Sequence, residues 1–253
     1  MPIRICFLML MGSLISVPIC AETLNVAVAS NFTHTLKRLS VDFSQRTGHQ
    51  LRISSASTGK LYTQIQHGAP FDVFLAADEK HPELLVQQNK ADPDSAIVYA
   101  TGRLMLMSNI DPTGFANGDC QAVLTSARLK RLSIANPRTA PYGLAAKQVL
   151  QKLELWQRVQ PLLVRGENIA QTLQFVSTMN AEAGFVAKSM LNINKSIVPA
   201  CTWDIPASLY SPINQKMVLL GKAHYKSSAR AFLEYIQSAS ARTIIASSGY
   251  VVM

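Results

Sequence analysis

Charge is scarce in this chain. Only 15% of its 253 residues are Asp, Glu, Lys or Arg, against roughly 25% in an ordinary soluble domain. Acidic residues are the rarer sign, 15 against 24 basic ones, for a formal net charge of +9. Hydrophobic residues make up 48% and recur along the whole length, which excludes intrinsic disorder because there is ample apolar surface to bury. Aromatics are 7% and do not interleave with the small basic groups at Lys37-Arg38, Arg128-Lys130-Arg131 and Lys222 to Arg230. A nucleic-acid surface needs a concentrated basic stripe, so nucleic acid is not an expected partner. A scattered basic surface attracts anions only weakly. No self-similarity at roughly 33–45 residues is visible, which argues against a solenoid or propeller. Long apolar runs are absent beyond the extreme N-terminus, so a multi-span membrane protein is excluded.

That N-terminal run has a recognisable order. Arg4 supplies a positive charge, Ile5 to Val17 forms a 13-residue apolar stretch, and Pro18 with small residues precedes Ala21. These are the parts of a secretory signal peptide, expected over residues 1–21. The stretch is too short for an anchor, since 13 helical residues reach about 20 Å into a hydrocarbon core about 30 Å thick. Cys20 offers an acylation site, but Ile19 stands where a lipoprotein signal usually has Gly, Ala or Ser. Export to the periplasm without lipidation is therefore expected, with cleavage after Cys20 or Ala21. Loss of Arg4 takes the net charge from +9 to +8.

Cysteine is sparse too, at four residues. Cys6 and Cys20 leave with the leader, so Cys120 and Cys201 remain, an even number in an oxidising compartment. A disulfide between them is expected, closing a long loop and contributing about 4 kcal/mol on the chain-entropy account; two buried thiols are the alternative. Neither cysteine has a CxxC partner or a nearby His pair, and the histidines at 34, 49, 67, 81 and 224 lack ligand spacing, so no direct metal ligands are expected. The histidines read as surface or turn residues.

The mature chain alternates short apolar runs with helical periodicity. Leu24 to Val28 reads as a strand, and Ser30-Asn31 as the cap of a helix carrying Leu36, Leu39 and Phe43. Gly48 ends that helix, Leu51-Arg52-Ile53 is a strand, and Ser57-Thr58-Gly59 opens a helix through Leu61 and Ile65, stopped by Gly68-Ala69-Pro70. Phe71 to Leu75 is a strand, and Pro82 starts another helix. After Tyr99 to Gly102 the pattern restarts. Leu104 to Met107, Leu132 to Ala135, Leu162 to Val164 and Gly184 to Val186 read as strands. Gln121 to Leu129, Leu144 to Leu153 and Asn168 to Met179 read as helices. Met217 to Leu220 and a helix with Phe232, Leu233 and Ile236 close the chain. Such alternation implies α/β architecture with βαβ units on parallel sheets. Two lobes are expected, residues 22–100 with 211–253 and residues 101–210, enclosing a ligand cleft.

Four places end strands and begin helices while carrying hydroxyls or small residues: Ser30-Asn31, Ser57-Thr58-Gly59, Pro141-Tyr142-Gly143 and Asn168-Ile169. A helix start exposes unpaired N–H groups and carries about half a positive charge, so several converging starts would hold a small anion without a charged side chain. The same positions also serve as plain helix caps. Catalytic patterns are thinner. Ser57-Thr58-Gly59-Lys60 matches S-x-x-K, the serine-lysine signature of an exported serine enzyme, but no S-D-N and no downstream K-T-G accompany it. It is not a P-loop, because Ser54 stands where the first glycine must be, and there is no G-x-S-x-G elbow. Asp72 and Asp78 bracket a strand end without forming an acid–base pair.

Several of these segments together resemble the periplasmic molybdate-binding proteins of ABC importers. The resemblance rests on Ala27 to Phe32, Ser57 to Tyr62 with Gln64-Ile65, Gly68 to Asp78, Asn136 to Gly143 and Gly166 to Ile169. It covers essentially the whole mature chain in the right order. It implies a non-enzymatic, two-lobed periplasmic-binding-protein fold that closes on molybdate or tungstate as ligand, with no cofactor. The implied partner is a cognate permease in the inner membrane, and the implied state is a monomer. By position, Ser30 and Thr58 would contact the oxyanion from the first lobe with the Asn31 N–H beside them, and Tyr142 and Ile169 would offer backbone N–H groups from the second. The family commonly has Ser where Thr58 stands, and some members place a tyrosine where Ala187 falls. The same fold taking sulfate or phosphate, and a serine enzyme using Ser57 and Lys60, are the competing expectations.

Overall fold

Strand β1, Thr23–Ala29, wholly buries Leu24, Val26 and Val28 on one face, and toward its carboxyl end buries Ala27 and Ala29 on the other. A strand of that kind belongs in the middle of a covered sheet, and β1 lies there. The computed structural model describes residues 21–115, 118–193, 196–221 and 223–252; the expected signal peptide falls outside them except for Ala21. After β1 a short 3₁₀ turn, Ser30–Phe32, leads into helix α1, Thr33–Thr47. Its inner face is Leu36, Leu39 and Phe43, and Gly48 ends it at φ 76°, a backbone angle glycine adopts without steric cost. Then follow β2 (Gln50–Ala56), α2 (Thr58–Gln66), β3 (Val73–Leu75), α3 (Lys80–Gln87) and β4 (Ile97–Gly102).

Arg103 alone separates β4 from β5, Leu104–Ser108. The chain then makes β6 (Leu132–Ala135), α4 (Pro141–Lys152), α5 (Trp156–Val159), β7 (Leu163–Gly166), α6 (Ile169–Ser177), β8 (Ala183–Ala187), α7 (Lys188–Ile193) and β9 (Cys201–Asp204). It returns through β10 (Ile213–Leu219) and ends in α8 (Ser227–Ile236) and α9 (Ala239–Ser247). No helix among the described residues is long and apolar enough to cross a membrane.

Two five-stranded sheets result, ordered β2-β1-β3-β10-β4 and β7-β6-β8-β5-β9. The first takes all its strands from Thr23–Gly102 and Ile213–Leu219, the second from Leu104–Asp204. β1 runs parallel to β2 and β3, with Val26 opposite both Ile53 and Val73. β10 is antiparallel to β3 and β4, as β5 is to β8 and β9. The sheets are therefore mixed, where alternation alone implied parallel ones. The reason is topological: β5 and β10 enter their sheets directly from the other half, without a crossover helix to reverse them. β4 and β9 were not legible as strands, and β4 runs to Gly102, past residue 100.

Other segments also differ from expectation. Gln121–Leu129 is not a helix; Cys120–Thr125 makes a 3₁₀ turn begun by the Asp119 carboxylate, which accepts from Gln121 N–H at 2.9 Å. A disulfide joins Cys120 to Cys201 in β9, with Cα atoms 5.7 Å apart, pinning that turn to the sheet edge. His49 is buried, not a surface residue, and its Nδ1 accepts from Glu22 N–H. Asp72 is structural: it accepts from Asn25 N–H at 2.9 Å and pairs with Lys226 at 2.6 Å.

Each sheet carries apolar side chains on both faces. Phe43, Phe232 and Ile236 cover one side of the first sheet, and Leu61, Phe74 and Leu85 fill the other. The second sheet packs Ile134, Val149, Val176 and Phe185. Ala29, Ala77 and Ile213 of the first sheet's half join this second core, so the two halves touch across their junction.

Candidate functional site

The ends of β1, β2, β6 and β7 are parallel-strand carboxyl ends, and in open α/β sheets the crevice outside such ends is where ligands settle. Each is followed by a turn or helix start that faces the junction. A small cavity there is lined by Ser30, Asn31, Ser57, Thr58, Tyr142 and Ile169, with Ala29, Ala77, Ala140 and Pro141 between them. All five site residues expected from the sequence thus meet around one space. Among the described residues no charged side chain lines it, and every lining residue except the half-buried Pro141 is buried.

The backbone donors can be accounted for one by one. In α4, Pro141 has no N–H, and the N–H groups of Gly143 and Leu144 both bond the Ala140 carbonyl. Tyr142 N–H is left, one of the orphan donors of a first turn. In α6, the Asn168 side chain accepts from Ala170 and Gln171 N–H at 3.0 and 3.1 Å, which leaves Ile169 N–H. In α2, Gly59 N–H bonds Thr139 O at 2.9 Å and Leu61 N–H bonds Ser57 O, leaving the N–H groups of Lys60 and of Thr58, of which Thr58 lines the cavity. Ser30 and Asn31 do not cap α1 as the sequence suggested, because the 3₁₀ turn intervenes and no side-chain cap bond forms. Thr58 Oγ1 accepts from Ala77 N–H at 3.0 Å, so its own hydrogen remains to be donated.

Beneath the cavity lies a buried polar network. The Asn31 side-chain amide donates to Gln215 Oε1 at 2.9 Å and to the Tyr250 hydroxyl at 3.1 Å. Both of its hydrogens are committed, and the residue meets the cavity with its backbone. Tyr250 donates in turn to Asn31 O at 2.8 Å. Gln215 Oε1 also lies 3.1 Å from the Tyr99 hydroxyl, and Gln215 Nε2 donates to the Tyr142 hydroxyl at 3.4 Å. Gln215 sits at a register shift of β10, and such bulges re-aim a side chain. Burial pushes the hydroxyls of Tyr142, Tyr99 and Tyr250 well above the ordinary tyrosine range, so all three remain neutral donors. Tyr142 reaches across to Gly102, where a Cβ would come within 2.0 Å of its hydroxyl.

Two contacts close the rim: the Gly59–Thr139 backbone bond and an ion pair between Lys60 and Glu167. That pairing bears on the serine-enzyme expectation. Lys60 is turned to Glu167, and Ser57 Oγ is buried without a partner, so the two do not form a nucleophile–base pair. Beyond the same wall of Ala77, Ala140 and Pro141 a larger cavity opens, carrying Lys80 and Arg138. Among the described residues no group of three or more His, Cys, Asp or Glu is placed to hold a metal ion.

Sequence reasoning missed Gln215. Gln215 did carry a signal, as a polar residue at the inward-facing position between Ile213 and Met217. Ser57 was legible in two ways, within the helix start Ser57-Thr58-Gly59 and as the serine of the S-x-x-K pattern.

Residues 24–251 match the family described as bacterial extracellular solute-binding protein. The chain is 44% identical to the molybdate-binding protein ModA of Azotobacter vinelandii over 230 residues, 91% of this chain and 90% of that one. It is 39% identical to ModA of Rhodobacter capsulatus over 237 residues, 94% and 91% of the two chains. The solved structure of the Azotobacter vinelandii periplasmic molybdate-binding protein superposes with a TM-score of 0.84 at 37% identity, covering 91% of this chain and 99% of that chain.

Proposed function

The chain belongs to the bacterial extracellular solute-binding proteins, and on that premise we propose that it captures molybdate or tungstate between two lobes and delivers it to an ABC permease of the inner membrane. The observation that carries this reading is the convergence of four chain turns on one buried, uncharged cavity furnished with hydrogen-bond donors. The relatives named for molybdate binding support the choice of cargo. The protein acts as a receptor, not an enzyme, in the periplasm and as a monomer.

In this reading Ser30 and Thr58 donate their hydroxyls, and Asn31, Tyr142 and Ile169 their backbone N–H groups. Each hydrogen bond to a charged group contributes about 1.5–3 kcal/mol where water is excluded. The dianion's charge is then met by helix starts rather than by a counter-ion. No carboxylate lines the space, which suits a fully deprotonated anion over one that must place a proton. Sulfate shares the charge and shape of molybdate but is smaller, so cavity size discriminates between them. Lys80 and Arg138 line the outer cavity and draw anions toward the mouth. In this reading the lobe boundary expected at residue 100 shifts to Arg103, because β4 of the first sheet runs to Gly102; the lobes are then residues 22–102 with 211–253 and residues 103–210, hinged at Arg103 and before β10.

Calorimetric titration of residues 22–253, stripped of ligand, tests this. Tight binding of molybdate and tungstate with weak sulfate and phosphate is expected. Binding of sulfate or phosphate alone would keep the cleft and replace the cargo, and binding of none would overturn the reading.

A further inference from the structure

Ser57 is the N-terminal flanking residue of α2 with extended backbone angles, φ −69° and ψ 149°, the geometry in which a serine side chain ordinarily caps a helix. Its hydroxyl makes no such bond. The residue is 3% exposed, lines the cavity, and its Oγ has no hydrogen-bond partner among the described residues. A buried hydroxyl left unbonded is destabilising and calls for an explanation. A nucleophilic role is not available, since Lys60 is paired with Glu167. The neighbouring Thr58 hydroxyl is already held by Ala77 N–H, so the unsatisfied group at this wall is Ser57.

We infer that the Ser57 hydroxyl is itself a direct donor to the bound oxyanion, adding to the Ser30, Asn31, Thr58, Tyr142 and Ile169 set. The inference rests on the oxyanion reading of the cavity. Its logic is that the protein carries an unmade hydrogen bond which the ligand completes. The Ser57 O–H then donates to an oxygen of the anion, and nothing within the protein competes for its hydrogen.

The test is molybdate titration of the wild-type protein and of Ser57→Ala, together with thermal melts of both in the ligand-free state. Loss of one hydrogen bond to a charged group weakens binding by about tenfold or more. Because the hydroxyl has no partner in the protein, the ligand-free variant is expected to melt at the wild-type temperature or above it. Wild-type affinity in Ser57→Ala overturns the inference, and so does an affinity loss accompanied by a lowered ligand-free melting temperature, which marks a structural role. If the wild-type protein binds no oxyanion, the functional reading fails first and this inference with it.

Discussion

At the scale of single residues, the polar network under the cavity is where small changes should tell most. Gln215 serves Asn31, Tyr99 and Tyr142 together, so Gln215→Ala strands one Asn31 amide hydrogen and removes the donor to the Tyr142 hydroxyl, while Tyr99 keeps Ala76 O as its acceptor at 3.0 Å. A loss of about 1–3 kcal/mol in unfolding free energy is expected, read from urea denaturation, with weaker oxyanion binding because Asn31 loses its anchor. The neutral tyrosines set the pH behaviour. Their ionisation lies above the ordinary range near 10, and no other titratable side chain lines the cavity. Oxyanion affinity should therefore stay level from pH 6 to pH 9 in calorimetry, and a tenfold change across that window would contradict this site. These residues also show the limit of reading a sequence. Ser30, Thr58, Tyr142 and Ile169 announce themselves through local helix starts, whereas Gln215 and Tyr250 reach Asn31 across 184 and 219 positions, a distance no local pattern reports.

At the scale of elements, the start of α2 makes two unequal contacts across the junction, from Gly59 to Thr139 in the loop before α4 and from Lys60 to Glu167 in the turn before α6. The Lys60–Glu167 pair is half exposed on both sides, and pairs of that kind contribute about 1 kcal/mol or less. Lys60→Ala should thus change affinity by less than about fivefold. A Cβ at Gly59 would sit 3.1 Å from the Thr139 backbone, prising the same elements apart. Gly59→Ala is expected to speed ligand release several-fold in stopped-flow displacement while leaving the ligand-free melting temperature nearly unchanged. Helices with strong punctuation were legible: Gly48 ends α1, and Asn168 opens α6. The segment Gln121–Leu129 misled because its apolar spacing fits a helix while a disulfide and the Asp119 cap hold a tighter turn. β9 was invisible for a related reason, since its exposure alternates residue by residue at a sheet edge.

At the scale of the whole molecule, the disulfide lies within the half built on the second sheet, closing a loop with a sequence separation of 81. Reduction should cost about 4 kcal/mol, seen as a lowered melting temperature with reductant, and denatured protein without reductant should show no free thiols at Cys120 and Cys201. Glu22 ties the beginning of the described chain to its end by accepting from Ser227 and Ser228 at the start of α8. Those hydrogen bonds, from the Ser228 side chain first, hold its carboxyl below the usual range. A lowered acid pKa stabilises the fold above the unfolded value near 4 and loses that contribution as pH falls through the folded value. Glu22→Gln should accordingly flatten the fall in melting temperature between pH 5 and pH 3. The alternation of strands and helices was enough to foresee two α/β units, but not the mixed sheets, because the direction of β5 and β10 depends on where the chain arrives from. The buried walls of the cavity carry one more consequence. If the two halves close on the ion as proposed, its release requires them to part. An anion that makes fewer contacts across the junction would then leave sooner, because it holds the halves together less firmly, and the parting of the halves would gate how often the receptor can be refilled.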